Sequence, residues 1–370
     1  MNKKHTNRRT FLKAGATGAA GLTLASSTAM ALSTSEKAAT SSETLQQEAN
    51  QISLELFKND GLARPIPSKP TPCELAEGVD RSLVLGGGGV WYIAWYIAFF
   101  QGLEEAGLDM NELSEMVVGT SAGAYMGSAM RCGNMTHMLK TMEFYAKNPD
   151  QFGKIAPFTD PNISQQRAMK VSAAAKNGTT ETIQTIGRSA LAAHNKADSD
   201  GAERFAIALT ADSTKDWPAE NLYTSSNDCY TGERLIVSKE AAQKNKIPLA
   251  RATGASSSLP GVMGPTVLGE RYGMDGGICS NACHTDIVAG SKRAVVISLT
   301  NGLVPPVLTG VPHPIGQNIK DLQATGTQTM WIIANPPDIN LLDPKNIGSG
   351  LESGKKRART EAKKIESFWA

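Results

Sequence analysis

The stretch Val117-Val118-Gly119-Thr120-Ser121-Ala122-Gly123-Ala124 decides the fold of this chain. The apolar residues 116–118 predict a buried strand, and residues 124–130 can continue as a helix. A Gly-x-Ser-x-Gly motif in this strand–turn–helix context holds its serine on a strained turn. The two glycines let strand and helix pass closely, and the helix N-terminus offers free N–H groups and partial positive charge. The pattern therefore favours Ser121 as a nucleophile over an ordinary Gly/Ser-rich turn.

A second glycine-rich turn lies upstream of the first. Residues 82–85 predict a strand, Gly86-Gly87-Gly88-Gly89 follows, and residues 90–95 predict an apolar helix. No Gly-Lys-Ser/Thr follows, which argues against a phosphate loop, and Trp91 and Tyr92 occupy the place of the last glycine in a dinucleotide motif. Backbone amides in such a loop can point at the negative charge that develops when a serine attacks a carbonyl carbon. The loop is a candidate oxyanion hole, with a plain strand-to-helix turn as the alternative.

A carboxylate followed by glycines occurs downstream, in Tyr272-Gly273-Met274-Asp275-Gly276-Gly277-Ile278. The glycines leave room beside Asp275, so its carboxylate can approach a hydroxyl group and take the proton. A lone Asp-Gly-Gly is most often a turn. Asp275 becomes a candidate only together with the two motifs above.

In this order the three motifs resemble those of the patatin-like phospholipases. The elements that match are residues 85–89, 119–123 and 275–277. Residues 252–260 look like the family's Ala/Ser-rich segment ending in proline, and Asn281 stands where the family often has an asparagine. The resemblance covers about residues 80–300 and is specific, because several independent motifs occur in the family's order.

The resemblance implies a three-layer α/β fold, with a mainly parallel central sheet and helices on both faces. It implies hydrolysis of lipid acyl esters, of the phospholipase A or esterase type, through an acyl-enzyme. Ser121 would be the nucleophile and Asp275 its base. The implied oxyanion hole comprises the amides of Gly87, Gly88, Gly89 and Ala122. The other motif glycines are Gly119, Gly123, Gly276 and Gly277. No cofactor or metal ion is implied, and the implied partner is a lipid or small ester, with transient contact to a membrane or lipid aggregate.

The sequence departs from the family pattern just after the glycine loop. The family commonly has Arg or Lys and then Gly there, whereas this chain has Trp91 and Tyr92. The aromatic pair could close the oxyanion loop, line an acyl pocket or lie in the core. This departure keeps open an alternative from another class, a non-catalytic lipid-binding or scaffold protein on the same fold.

Histidines after Asp275 leave a second mechanism open. His284 and His313 follow the acid in the chain, as the histidine of a Ser-His-Asp esterase does, although neither stands in a recognisable triad context. Cys279, Cys283 and His284 together could suggest a zinc site, but no second cluster accompanies them. Two buried thiols are the default interpretation of these cysteines, with a disulfide formed after export as the alternative.

Residues 1–31 have the pattern of an export signal. Five basic residues and no acidic one lie in residues 2–13, which include the twin-arginine-type motif Arg8-Arg9-Thr10-Phe11-Leu12-Lys13. Residues 14–31 are mildly apolar and end in Ala29-Met30-Ala31, a cleavage-site pattern. We expect a cleaved signal, export through the twin-arginine route, and a periplasmic or secreted protein.

Removal of this signal changes the sign of the net charge. The full chain has 37 basic and 35 acidic residues, and the mature chain would keep 32 basic residues against the same 35. A weakly acidic chain without a basic block is a poor partner for nucleic acid and for purely electrostatic docking on anionic membranes. No pattern in the sequence specifies an oligomeric state.

The rest of the chain divides by composition and periodicity. Residues 32–79 predict a linker and an irregular N-terminal extension, and residues 80–370 predict one α/β domain, which the resemblance implies to be a hydrolase domain. Within it, the polar residues 133–202 favour helices, as a lid or as an ordinary surface excursion. Residues 204–210 predict a return to strand. Further expectations are strand, turn and strand over 221–238, strands at 294–299 and 328–334, and a packed amphipathic helix at 350–369.

Overall fold

The computed structural model of this chain describes residues 34–156, 160–195, 200–211, 216–218, 221–302 and 308–370, with the backbone alone described for residues 34–43. The chain divides into one unit that ends at Ala49 and another that runs from Asn50 to Ala370. The twin-arginine motif and the expected cleavage site lie outside the described residues.

One eight-stranded sheet organises the second unit. Its strands are β1 (Arg81–Leu85), β2 (Met116–Gly119), β3 (Asn221–Asp228), β4 (Arg234–Val237), β5 (Thr266–Leu268), β6 (Arg271–Asp275), β7 (Arg293–Ser298) and β8 (Gln328–Ile333). The strand order is β5-β6-β3-β2-β1-β7-β8, and β4 pairs with β3 off this path. Five neighbouring strands of this order, β3, β2, β1, β7 and β8, run parallel to one another. The remaining strands, β4, β5 and β6, pair in antiparallel fashion.

The described residues also contain thirteen α-helices. They are α1 (Thr34–Phe57), α2 (Gly89–Glu104), α3 (Met110–Leu113), α4 (Ala122–Arg131), α5 (Met135–Lys147), α6 (Pro149–Phe152), α7 (Ile163–Ala173), α8 (Thr180–Leu191), α9 (Gly201–Thr210), α10 (Lys239–Asn245), α11 (Leu249–Ala255), α12 (Ile315–Ala324) and α13 (Ile347–Trp369). Within the described part of the chain, none of them is both long enough and apolar enough to cross a membrane.

Alternate residues of the central strands face two separate cores. Leu83 and Leu85 of β1 belong to a large core that contains the buried residues of α2, α4 and α13. Val84, which lies between them, belongs to a second core with Ile315 and Ile319 of α12. Successive side chains of a strand point to opposite faces of the sheet, so helices cover both faces. The predicted three-layer α/β fold with a mainly parallel central sheet is confirmed.

Helix α2 is the buried support of the glycine loop. Its residues are buried on almost every side, as expected for a helix that is apolar all round. Helix α13 packs along it at close range, because a Cβ atom on Gly350 would lie 2.5 Å from the Trp91 carbonyl oxygen. The C-terminal helix predicted at 350–369 is therefore confirmed as a packed helix.

Two expectations about local structure are wrong. Residues 204–210, expected as a strand, belong to helix α9. Their buried residues include Phe205, Ala206 and Leu209, whose spacing of one, three and four residues fits one face of a helix. The linker and extension at 32–79 are not irregular throughout, because α1 covers residues 34–57. Ala, Glu, Gln and Leu are good helix formers and override the linker-like composition there.

The other expected elements are present. The strands at 82–85, 116–118, 294–299 and 328–334 appear as β1, β2, β7 and β8, and residues 221–238 form β3, a turn and β4. Residues 133–202 contain helices α5 to α8, as their composition suggested. The loop after β2 leads directly into α4, which places Ser121 at a strand-to-helix turn.

Candidate active site

Ser121 occupies a strained turn at the carboxyl end of β2. Its backbone angles are φ 50° and ψ −116°, a left-handed conformation that is unfavourable for residues other than glycine. A Cβ atom on Gly119 would lie 2.6 Å from the Gly123 carbonyl oxygen. A Cβ atom on Gly123 would overlap the carbonyl group of Leu85 on β1. Both motif glycines are therefore required by the close approach of strand and helix.

Hydrogen bonds from the Ala/Ser-rich segment hold this turn. The Ser121 amide donates to Ser256 Oγ at 2.9 Å. One turn along α4, the Tyr125 hydroxyl lies 2.9 Å from Ser257 Oγ. These two hydrogen bonds fix the turn. Ser121 itself is 5% exposed and lines a cleft.

Asp275 reaches the same place through the register of β3. On β3, Thr224 pairs with Gly119 of β2, and two residues further along Ser226 pairs with Asp275 of β6. Since β6 ends at Asp275, the ends of β2 and β6 meet at neighbouring positions of one strand. The Asn227 side-chain amide secures this meeting point by donating to the Asp275 carbonyl oxygen at 2.8 Å.

The Asp275 carboxyl group is buried and half satisfied. Its Oδ1 atom accepts the Gly277 amide hydrogen at 2.7 Å. Its Oδ2 atom is buried and has no hydrogen-bond partner among the described residues. Burial raises the pKa of Asp275 to about 7, while the Gly277 amide and the nearby Ser121 hydroxyl oppose this rise. The Ser121 hydroxyl is near enough to influence the pKa of this carboxyl group, although no hydrogen bond of regular geometry joins the two side chains in the described structure.

The glycine loop lies directly against Ser121. A Cβ atom on Gly87 would be 2.9 Å from Ser121 Cβ, so only a residue without a side chain fits there. The Gly86 amide donates to the Ile297 carbonyl oxygen at 3.0 Å. By contrast, the amides of Gly87 and Gly88 donate to no acceptor within the described structure. Unpaired amides beside a buried serine can bind an oxyanion.

The four candidate oxyanion residues do not all reach the cleft. Gly87 and Gly88 line it, whereas Gly89 and Ala122 are not among the described lining residues. Gly89 has φ 73° and packs against Leu341, where a Cβ atom would lie 2.9 Å from the carbonyl oxygen. The Ala122 amide begins α4 and likewise donates to no described acceptor.

The cleft around Ser121 has one polar edge and an apolar wall. It encloses about 90 Å³ and is lined on its polar side by Gly87, Gly88, Ser121, Asp275, Gly277 and His313. Its wall consists of Leu259, Ile278, Ala282, Cys283, Leu299, Leu308 and Ile315, with Thr300 and Thr309. None of the lining residues that the structure describes comes from residues 133–202, the segment considered as a lid.

The aromatic pair after the glycine loop belongs to the core. Trp91 and Tyr92 are both fully buried. The Trp91 indole donates to Ser349 Oγ at 3.1 Å, and the Tyr92 ring lies 4.1 Å from the ring of Tyr96. The ring of Tyr92 borders Gly88 from behind. The structure therefore supports the interpretation that both aromatic residues lie in the core, rather than closing the oxyanion loop or lining an acyl pocket.

Both downstream histidines bind the loop after Asp275. His284 Nε2 lies 3.0 Å from the Gly276 carbonyl oxygen, and His313 Nε2 lies 2.9 Å from the Gly277 carbonyl oxygen. Burial lowers the pKa of His313, and burial together with Arg234 lowers the pKa of His284 to about 3. Neither imidazole is hydrogen-bonded to Ser121.

The cysteines near this loop are buried thiols. Cys279 and Cys283 are 2% and 4% exposed and form no disulfide. Burial raises the pKa of each thiol to about 12, which makes both poor nucleophiles and poor metal ligands. No cluster of three or more His, Cys, Asp or Glu suited to a metal ion occurs in the described ranges.

Two contributors to the site escaped the sequence analysis. The Ser256 and Ser258 carbonyl oxygens accept the Gly276 and Asp275 amides at 3.2 and 3.0 Å, so this segment holds both candidate catalytic loops. The Ala/Ser-rich pattern marked this segment in the sequence, but it did not indicate these backbone hydrogen bonds. Arg234, which approaches His284 Nδ1 to 3.5 Å, carried no signal at all, because the contact is made only in the folded chain.

The fold and this site define the class of protein: a three-layer α/β protein with a serine on the turn between strand and helix. A model of the family described as patatin-like phospholipase matches residues 83–286, more than half of the chain. The chain belongs to the patatin-like phospholipase family, and membership supports a lipid acyl hydrolase activity.

Solved structures of two proteins are similar to this chain. VipD from Legionella pneumophila is 13% identical, with a TM-score of 0.34, over 81% of this chain and 71% of that one. The type III effector protein ExoU is 16% identical, with a TM-score of 0.30, over 82% of this chain and 56% of that one. No curated protein matches the sequence. Scores this low add nothing to the family assignment, which rests on the family model.

Proposed function

We propose that this protein hydrolyses carboxylic esters of lipids with Ser121 as the nucleophile and Asp275 as its general base. The observation that carries the proposal is the placement of both groups in one cleft. There a strained serine stands beside a buried carboxyl group whose Oδ2 atom has no described partner. The adjoining unpaired amides of Gly87 and Gly88 complete the set of groups that acyl transfer needs.

In the first half of the reaction, Ser121 Oγ attacks the ester carbonyl carbon. Asp275 takes the hydroxyl proton as the new C–O bond forms. The carbonyl oxygen becomes an oxyanion and accepts hydrogen bonds from Gly87 and Gly88, with the Ala122 amide as a further donor. The intermediate then collapses, the alcohol leaves with the proton from Asp275, and the acyl group stays on Ser121.

The second half repeats these proton transfers with water. Asp275 takes a proton from the attacking water molecule, and the tetrahedral intermediate expels Ser121, which regains its proton. A carboxylate near its ordinary pKa of about 4 is a weak base for serine. The pKa of about 7 that burial gives Asp275 makes the carboxylate a stronger base that is still available near neutral pH.

The cleft fits the acyl side of the substrate. Its wall residues Leu259, Ile278, Leu299 and Leu308 offer apolar contact to an acyl chain. The proposed substrates are therefore lipid or small carboxylic esters, met in solution or at a lipid surface. We further propose export by the twin-arginine route, on the strength of the N-terminal motif alone.

Two alternatives have less support. A Ser-His-Asp mechanism needs an imidazole hydrogen-bonded to the serine, whereas His284 and His313 donate to backbone carbonyl groups. A non-catalytic scaffold was suggested by Trp91 and Tyr92, but both rings lie in the core and leave the cleft open.

Hydrolysis of p-nitrophenyl esters by the purified mature chain tests the proposal. Ser121→Ala is expected to lose essentially all turnover. The matched control is Ser114→Ala at another buried serine, whose hydroxyl group donates to the Met110 carbonyl oxygen at 2.7 Å and does not line the cleft. This variant is expected to retain wild-type activity. Substantial turnover by Ser121→Ala would overturn the assignment of the nucleophile.

A further inference from the structure

The loop after Asp275 is held by imidazole groups on its carbonyl side. The carbonyl oxygens of Gly276 and Gly277 accept from His284 Nε2 and His313 Nε2 at 3.0 and 2.9 Å. Because a carbonyl oxygen only accepts, each Nε2 atom must carry a hydrogen. Two side chains from separate parts of the chain thus fix the two peptide groups that follow Asp275.

An ion pair behind His284 sets which ring nitrogen carries the hydrogen. Arg234 Nη1 lies 3.5 Å from His284 Nδ1, and the guanidinium group makes two 2.7 Å bonds to the Asp286 carboxylate. Nδ1 therefore faces a donor and is the unprotonated nitrogen, which leaves the hydrogen on Nε2. The Arg234 side chain is 3% exposed, so water does not weaken this arrangement.

The amide side of the same loop is held by a different segment. The amides of Asp275 and Gly276 donate to the carbonyl oxygens of Ser258 and Ser256, and Ser256 Oγ also accepts from the Ser121 amide. The serine turn and the amide side of the loop thus share one support. The carbonyl groups of Gly276 and Gly277 are held separately by the two histidines. The histidines therefore contribute to the orientation of the Asp275 carboxyl group towards Ser121, together with the Asn227 and Gly277 amides.

We propose that His284 is a positioning residue for ester hydrolysis, which holds the Gly276 carbonyl so that Asp275 faces Ser121. The inference rests on the proposed Ser121–Asp275 pair. His313 holds Gly277 in the same way but also lines the cleft, where it can touch the substrate. His284 is fully buried and is not among the described residues that line the cleft. Its effect on the reaction therefore passes through the loop alone.

Loss of the His284 donor has two consequences for Asp275. The loop loosens, and a misplacement of about 1 Å can lower kcat by about 10²-fold. Water also reaches the carboxyl group, so its pKa falls from about 7 towards the ordinary value. The titratable and charged groups around the carboxyl group and its loop are Tyr125, Cys279, His284 and His313, with Arg234 and Asp286 behind them.

Three substitutions at His284 separate positioning from general support. His284→Gln keeps an N–H donor at the reach of Nε2, His284→Asn has a donor too short to reach Gly276, and His284→Leu has none. Ile365→Ala, in the fully buried part of α13 and away from the cleft, controls for lost stability. Each variant is assayed for kcat, KM, the pH dependence of kcat/KM with a p-nitrophenyl ester, and labelling of Ser121 by a fluorophosphonate.

We expect His284→Leu and His284→Asn to lower kcat by about 10- to 100-fold with KM within about twofold of wild type. The acidic limb of the pH dependence of kcat/KM should move to lower pH in these two variants. The profile of His284→Gln should stay near that of the wild type. If His284→Leu does not fold, the Gln and Asn variants carry the comparison.

A His284→Asn variant with the kcat and pH limb of His284→Gln would overturn the inference. So would a shifted limb in Ile365→Ala, because general destabilisation would then account for it. Absence of a Ser121 adduct in the wild type would instead count against the proposed dyad itself.

Discussion

Ser121 is a buried residue with a strained backbone conformation. Its φ of 50° and ψ of −116° place it where only glycine is unstrained, and such strain costs about 1–3 kcal/mol. Ser121 and Asp275 line the same cleft. In the proposed mechanism, this strained conformation presents the nucleophile to the substrate.

The strain leads to a prediction for Ser121→Gly. Glycine relaxes at this φ, so the variant should be more stable than Ser121→Ala by about 1 kcal/mol, while both are inactive. Thermal or urea unfolding of the two variants measures the difference. Equal stability, or a more stable alanine variant, would show that the turn is not strained in solution.

Asp275 should control the dependence of activity on pH. Its pKa of about 7 means that the base form grows as pH rises through 7, so kcat/KM should rise over the same range. Asp275→Asn cannot accept a proton and should lower kcat by about 10²–10⁴-fold. A pH–rate profile of the wild type and single-turnover rates of the variant check both statements; a flat profile between pH 5 and 8 would contradict the first.

The same substitution should stabilise the folded protein. The unfolded Asp275 loses its proton near pH 4 and the folded one near 7, so stability falls as pH rises between these values. Asparagine does not ionise and can still accept from the Gly277 amide. Above pH 7, Asp275→Asn should therefore raise the free energy of unfolding by about 1–3 kcal/mol, measured by urea denaturation. Equal stability at pH 4 serves as the control, and a less stable variant at pH 8 would contradict the burial penalty.

Among the elements, helix α4 packs closely against strands β1 and β2 at the crossing point where Gly119 and Gly123 lie. The Gly123 position faces the Leu85 carbonyl group of β1, and no Cβ atom fits between them. Because Ser121 lies at this crossing, strand and helix cannot separate without moving Ser121.

Gly123→Ala should accordingly cost about 2–3 kcal/mol of stability and most of the activity. Gly348→Ala is a matched control in the first turn of α13, where no atom lies within 4 Å of the added methyl group. That control should be neutral or slightly stabilising. Chemical denaturation and ester hydrolysis measure both variants, and a fully stable Gly123→Ala would show that the close packing has been overestimated.

Elements with strong periodicity could be predicted, and those decided by tertiary contacts could not. The apolar runs that form β1, β2 and β7 are unambiguous because both faces of these strands are buried. The stretch 204–210 is too short for its apolar pattern to distinguish a strand from a helix. Packing of Phe205 and Leu209 in the core stabilises the helix there. The motifs singled out Ser121 and Asp275, which line one cleft, as the candidate catalytic residues, and their roles stay a prediction. The contact of Arg234 with His284 could not be predicted, because it joins residues far apart in the chain.

For the whole molecule, the sheet brings motifs from three parts of the sequence to one edge. The glycine loop follows β1, the serine follows β2, and Asp275 ends β6, which pairs with β3 next to β2. Parallel strands end at the same edge of a sheet, which is where α/β proteins bind ligands. The antiparallel β6 arrives from the opposite direction and adds the carboxyl group to that edge.

Export is a prediction about the whole chain. Replacing Arg8 and Arg9 by lysine should retain the protein in the cytoplasm, because a receptor of the twin-arginine route recognises the arginine pair. Fractionation of cells that express each form measures the distribution, with the unaltered chain as control. Unchanged export of the double-lysine form would remove the basis for this localisation.

Mass-spectrometric mapping of a fluorophosphonate adduct on the mature chain tests the central claim most directly. A reactive serine in a formed oxyanion site should give one adduct, on Ser121, and Asp275→Asn should slow its formation strongly. An adduct at any other serine, or none on a folded protein that hydrolyses no short-chain ester, would contradict the account.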